Sequence, residues 1–183
     1  MGITEWTSRE ALSQPTASID LVHSEPTNSD LDASLNTDRI SAGQWWFFGA
    51  NPQGHAQTLF KNLTRVLGLS SSEWEWKSPG DNLSQLKMPE NGLPVVAFAF
   101  GGPSAQKITG ERDPLPQLRE TVLALNTGTD QDIPVIASYD LAQVIASPKD
   151  KAFLWQDLLL AKSVLQNIWF SFELKLSSGR CEI

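Results

Sequence analysis

Leu93-Pro94-Val95-Val96-Ala97-Phe98-Ala99-Phe100, closed by Gly101-Gly102-Pro103, is the stretch on which the fold turns. It is a strand-length apolar run with a turn behind it and no polar alternate, so neither face of the strand meets water. Strands of that kind belong to parallel sheets with helices packed on both sides.

Toward the N-terminus, Trp45-Trp46-Phe47-Phe48 is a second buried-type strand that meets the turn Gly49-Ala50-Asn51-Pro52-Gln53-Gly54. Ala56, Leu59, Phe60, Leu63, Val66 and Leu67 follow at helical spacing, and Gly68 supplies the stop. Glu73-Trp74-Glu75-Trp76-Lys77 alternates, which reads as a strand with both tryptophans on one face. Toward the C-terminus, Pro116 to Asn126, with Leu118, Val122 and Leu125, reads as a helix stopped near Gly128, and Pro134-Val135-Ile136-Ala137 as another buried strand. The last element opens with Ser147 as N-cap, Pro148 at the first helical position and Asp150 near the positive end of the dipole. It runs on through Phe153, Leu154, Trp155, Leu158, Leu159, Ala161, Leu165 and Ile168. The expected fold class is α/β: a three-layer α/β/α sandwich with a mainly parallel sheet, preceded by a short N-terminal helix and a flexible linker.

The first eleven residues, Met1 to Ala11, form a compact segment bearing Trp6. Thr7 and Glu10 have capping-box spacing, and Ile3, Trp6 and Leu12 share an apolar side. From Ser13 to Ser41, Pro15, Pro26 and scattered Ser, Thr, Asn and Asp leave few large apolar residues, the composition of a flexible linker. Trp6 therefore either enters a partner's pocket or folds back over the body. The expected division is 1–13 docking segment, 14–42 linker, 43–176 globular domain and 177–183 tail.

The 183 residues, 40% apolar and 19% charged, suit one domain plus extensions. A net charge of -7 opposes strong direct binding to a phosphate backbone, which needs clustered Lys and Arg. The lone Cys181 excludes an internal disulfide, and His23 and His55 without Cys partners make no usual zinc site, so no metal or cofactor is expected. This fits a reducing cytoplasm. No run is long and apolar enough to span a bilayer, and no secretory signal opens the chain.

The search for chemistry returns no catalytic residue. No Ser/His/Asp or Cys/His set assembles, and Gly101-Gly102 is a strand-ending turn without a dinucleotide or Walker pattern. The carboxylates are dispersed, as solvated surface groups are.

Two stretches, Gly2-Ile3-Thr4-Glu5-Trp6 with Arg9 and Leu12, and Ala146-Ser147-Pro148-Lys149-Asp150-Lys151-Ala152-Phe153-Leu154-Trp155-Gln156-Asp157, resemble the opening and last-helix segments of the psi subunit of bacterial DNA polymerase III. Phe47-Phe48-Gly49-Ala50-Asn51 stands at the place of that family's first core strand. The chain departs from the family by a longer linker, an inserted region around Gly101 to Pro116 and a C-terminal extension from about Ser163. The resemblance implies a non-catalytic bridge: Ile3, Thr4, Trp6, Arg9 and Leu12 would dock on the collar of the clamp-loader ATPase subunits. The body would bind a chi-like subunit, and through it single-stranded-DNA-binding protein. An anchoring Trp on a short helix that orders on binding agrees with this. The final helix carries more apolar side chain than one stripe can bury, so either a partner or the C-terminal extension covers the rest. Trp155, Leu159 and Trp169 are assigned to the chi-like partner.

The turns Gly49-Ala50-Asn51-Pro52-Gln53-Gly54 and Ile145-Ala146-Ser147-Pro148 also resemble those of uracil-DNA glycosylases. Asn51 stands at the water-activating Asp and Ile145 at the His, neither of which can do that chemistry. That second resemblance implies a glycosylase-like scaffold without catalysis.

Overall fold

The computed structural model of the protein describes residues 43–90, 92–128 and 132–178, the last stretch with side chains at 132–171 and 174. The expected docking segment and linker (1–42), and the tail from 179 on, lie outside the described residues.

Five strands, β1 (Gln44–Phe48), β2 (Trp74–Lys77), β3 (Val95–Phe100), β4 (Leu123–Ala124) and β5 (Pro134–Ser138), form one sheet in the order β2-β1-β3-β5-β4. β3, from the apolar run Leu93 to Phe100, is its centre. β3 pairs in parallel with β1 (Trp46 opposite Ala97) and with β5 (Phe98 opposite Ile136), and β1 pairs in parallel with β2 (Trp45 opposite Trp74). Only β4, at one edge, runs antiparallel, Leu123 opposite Val135. The protein is therefore α/β with a mostly parallel sheet.

Because side chains alternate along a strand, each apolar run feeds both faces. Trp45, Phe47, Val96, Phe98, Phe100 and Ile136 point to one face and pack with helices α1 (His55–Leu67), α4 (Leu141–Ala146) and α5 (Asp150–Ser178). Trp46, Phe48, Val95, Ala97, Ala99, Val135 and Ala137 point to the other. There they meet α2 (Gly102–Thr109) and α3 (Leu115–Leu118). The first face is built from rings: Phe47 lies 5.0 Å from Phe60 and 5.9 Å from Phe100, and Trp76 stacks on Phe100 at 5.5 Å. Each such pair contributes about 0.5–1.5 kcal/mol beyond area burial. Trp74 and Trp76 share this face, as the alternation required.

α1 runs as expected and ends at Gly68. Other elements differ from expectation. The helix expected over 116–126 is confined to α3, because Leu123 and Ala124 pair with β5 and the Leu125 N–H donates to the Ile133 carbonyl at 2.9 Å. Sheet pairing wins there because it satisfies backbone groups along an otherwise open β5 edge. α2 stands where only a turn was expected. Pro103 in its first turn has no N–H to lose, and Ala105 and Ile108 fill the second cluster. Gly101 has φ +87°, and a Cβ there would lie 3.5 Å from that of Asp140, so strand passes to helix without a side chain.

α5 begins at Asp150, not at Ser147. Ser147 instead terminates α4, a helix capped by Asp140, whose Oδ1 accepts from the Ala142 N–H at 2.8 Å. Ser147 is extended (φ -122°, ψ 102°), the conformation that the following proline imposes. The other end of α5 passes the expected domain boundary at 176 and reaches Ser178.

Candidate functional site

α5 carries apolar residues on nearly every side. At 3.6 residues per turn, Leu154, Leu158, Ala161 and Leu165 form one stripe, and all four are buried against the sheet. A Cβ at Gly43 (φ +148°) would lie 2.6 Å from Leu165 Cδ1, so the helix seats directly on the backbone that leads into β1. Trp155 and Leu159 lie on the opposite side, 37% and 46% exposed, and Phe170 and Leu174 continue that side at 65% and 71%. Trp169, grouped with Trp155 and Leu159 in the sequence reading, falls between the two sides and is half-buried. Phe170 and Leu174 take its place on the outward stripe. The 3.6-residue period from Leu159 would have found them. The expected clamp-loader contacts Ile3, Thr4, Trp6, Arg9 and Leu12 lie outside the described residues.

The rotation of α5 is held by a buried charge that the sequence reading did not single out. Asp157, 4% exposed, accepts at Oδ2 from Ser138 Oγ (2.6 Å) and Arg119 Nε (2.8 Å), and at Oδ1 from Arg119 Nη2 (2.9 Å). The guanidinium lies 4.6 Å from the ring of Tyr139 and 4.8 Å from that of Phe153. Burial works against its charge, but the hydrogen bonds and attraction of Asp157 outweigh that and raise its pKa. Ser138 is fully buried and bonded to a carboxylate already paired with Arg119, so it serves as a tie and not as a nucleophile. These partners stand 38 and 19 residues from Asp157 in sequence, on elements whose adjacency no local pattern reveals.

At the carboxyl ends of the strands there is a crevice. From β1 the chain passes through α1 to β2 on one side, while β3 lies on the other side of β1 and leads into α2 on the opposite face. That reversal is where open α/β sheets hold ligands. The cavity measures about 490 Å³ and is lined by the Gly49-Ala50-Asn51 turn, by Trp76 and Ser78 to Gly80 beyond β2, and by Pro103, Ser104 and Lys107 of α2. Lys107 is the one ionisable side chain in that lining. Asn51 lines the crevice, but Ile145 lies within α4 and is not in the lining, so the two positions compared with glycosylase turns are not brought together there. Its wall offers one ammonium together with the hydroxyl and amide groups of Ser78, Ser104 and Asn51.

Among the described residues no group of His, Cys, Asp or Glu could hold a metal ion, and no helix is long and apolar enough to cross a membrane. Fold and surfaces together define an α/β protein with exposed apolar residues at Trp155, Leu159, Phe170 and Leu174 of its last helix. No family model matches the chain, and no curated protein matches it significantly.

Proposed function

We propose that the protein is a non-catalytic replisome adaptor resembling the psi subunit of DNA polymerase III, working in the cytoplasm. In this reading a three-layer body presents the outward side of α5 to a chi-like subunit, and through it reaches single-stranded-DNA-binding protein. The segment 1–13, with Ile3, Thr4, Trp6, Arg9 and Leu12, docks on the clamp-loader collar. One observation carries the reading: Trp155, Leu159, Phe170 and Leu174 are exposed along one side of α5, over a rise of about 30 Å. They form two exposed apolar patches, Trp155 with Leu159 and Phe170 with Leu174, on either side of the polar Ser163, Gln166 and Asn167, and exposed apolar patches favour a partner site. Trp169, half-buried beside the stripe, would sit at its edge. The net charge of -7 further supports contact with protein over direct contact with DNA.

The test is calorimetric titration against a chi-like subunit and, separately, the clamp-loader collar. Leu159→Lys should abolish the first interaction and leave the second intact. Trp6→Ala should do the reverse, weakening collar binding by about 30-fold or more, as removal of a hot-spot Trp does. Equal collar affinities for wild type and Trp6→Ala would remove the opening segment as the anchor.

A second reading, a catalytically inactive glycosylase-like scaffold, is favoured by the position of Asn51 in the strand-end crevice. Release of uracil from DNA, lost in Asn51→Ala, would overturn the adaptor.

A further inference from the structure

The strand-end crevice has a charge pattern that the adaptor reading does not use. Lys107 forms no ion pair with a carboxylate among the described residues. The adjacent carboxylate of Asp81 is engaged by the Ser78 N–H at 3.0 Å. A Cβ placed on Gly80 would lie 3.5 Å from both Lys107 Nζ and Ser78 Oγ, so the ammonium and the hydroxyl overhang the same glycine. Ser104 and the Asn51 amide add donors from α2 and from the β1 turn. The wall beside Gly49 is the indole of Trp76, whose Cζ2 would lie 3.3 Å from a Cβ there. That indole is held within 11° of parallel to Phe100, so its orientation is fixed before any ligand arrives.

A lone ammonium with hydroxyl and amide donors from three segments suits an anion with more oxygens than a carboxylate has. A rigid indole beside them suits a flat ring. The volume falls in the range of small-molecule sites, roughly 300–1,000 Å³. We infer that this crevice binds a small phosphomonoester carrying a flat ring. Lys107, Ser78, Ser104 and Asn51 hold the phosphate, and Trp76 lies against the ring. The inference is independent of the adaptor reading, since no residue of the outward α5 stripe takes part.

The test is amide and indole NMR titration of the full chain with phenyl phosphate, inorganic phosphate and phenol. Phenyl phosphate should give saturable shifts at Gly49, Gly80, Ser104 and the Trp76 indole, with inorganic phosphate weaker and phenol weaker still. Lys107→Gln should weaken phenyl phosphate about tenfold, the effect of losing one charge-assisted hydrogen bond. Gly80→Leu should block binding by filling the mouth. Both positions are exposed, so an unchanged melting temperature is expected for each, and Lys107→Gln decides if Gly80→Leu unfolds. Absence of saturable shifts, equal binding by wild type and Lys107→Gln, or phenol binding as tightly as phenyl phosphate would each overturn the assignment.

Discussion

Leu154 and Leu158 on α5 are buried at 2% and 0% exposure, while Trp155 and Leu159, each the next residue along, stand at 37% and 46%. The two sides are alike in apolar character only over these two turns, because one residue on from Ala161 and Leu165 stand Lys162 and Gln166. Turning the helix by about 100° would exchange them at little apolar cost from Leu154 to Leu159 but would carry Lys162 and Gln166 inward. Asp157 resists it. A carboxylate can be buried only where Ser138 and Arg119 satisfy it, and that condition admits one rotation. The comparison teaches that where a helix opens with apolar residues on both sides, a buried polar residue among the leucines helps to choose the inward one.

The most damaging way to break this arrangement is Asp157→Ala, which leaves the half-buried Arg119 and the fully buried Ser138 hydroxyl without their shared acceptor. The expected loss is about 3–5 kcal/mol, read as a lower urea midpoint. Leu158→Ala, which opens a cavity on the inward side without touching the ion pair, should cost about 2–4 kcal/mol with the helix rotation retained.

Replacing the pair together, Arg119→Met with Asp157→Leu, separates stability from specificity. Stability should fall by about 1–3 kcal/mol, because the apolar pair fills the same space but leaves the buried Ser138 hydroxyl without its acceptor. The amide resonances of α5 should broaden as alternative rotations become populated. Sharp, single resonances in that double variant would show that packing sets the rotation.

On the outward side, Leu159→Lys should shift stability by no more than about 0.5 kcal/mol while abolishing binding to the proposed chi-like partner. A smaller effect still is expected from pH. The Arg119 guanidinium has its pKa raised in the fold, so its contribution is complete below the unfolded value and is lost only as pH rises through the raised one. The stability difference between wild type and the Arg119→Met, Asp157→Leu double variant should therefore stay constant from about pH 6 to 9, as thermal melts would show.

Much of the fold was legible because continuous apolar runs and helical spacing are local signals. The strands at 44–48, 74–77, 95–100 and 134–138 and the helix ending at Gly68 were all read correctly. The short elements were not. α2 is opened by Gly and Pro residues that also make turns, and β4 is two residues whose extended state comes from pairing with β5. At the candidate site, Trp155 and Leu159 were readable as surplus apolar residues. That their side faces outward depended on the helix rotation, and so on Asp157.

The run from Leu93 to Phe100 and its counterpart at Trp45 to Phe48 were enough to establish an α/β body with a two-sided core, because burial on both faces is written into consecutive residues. The strand order β2-β1-β3-β5-β4, the crevice it creates and the pairing of Arg119, Ser138 and Asp157 came only with the assembled chain. Those features join residues tens of positions apart. Local propensity carries no record of such distances, and the free energy that selects them exists only once the sheet has closed around its own side chains.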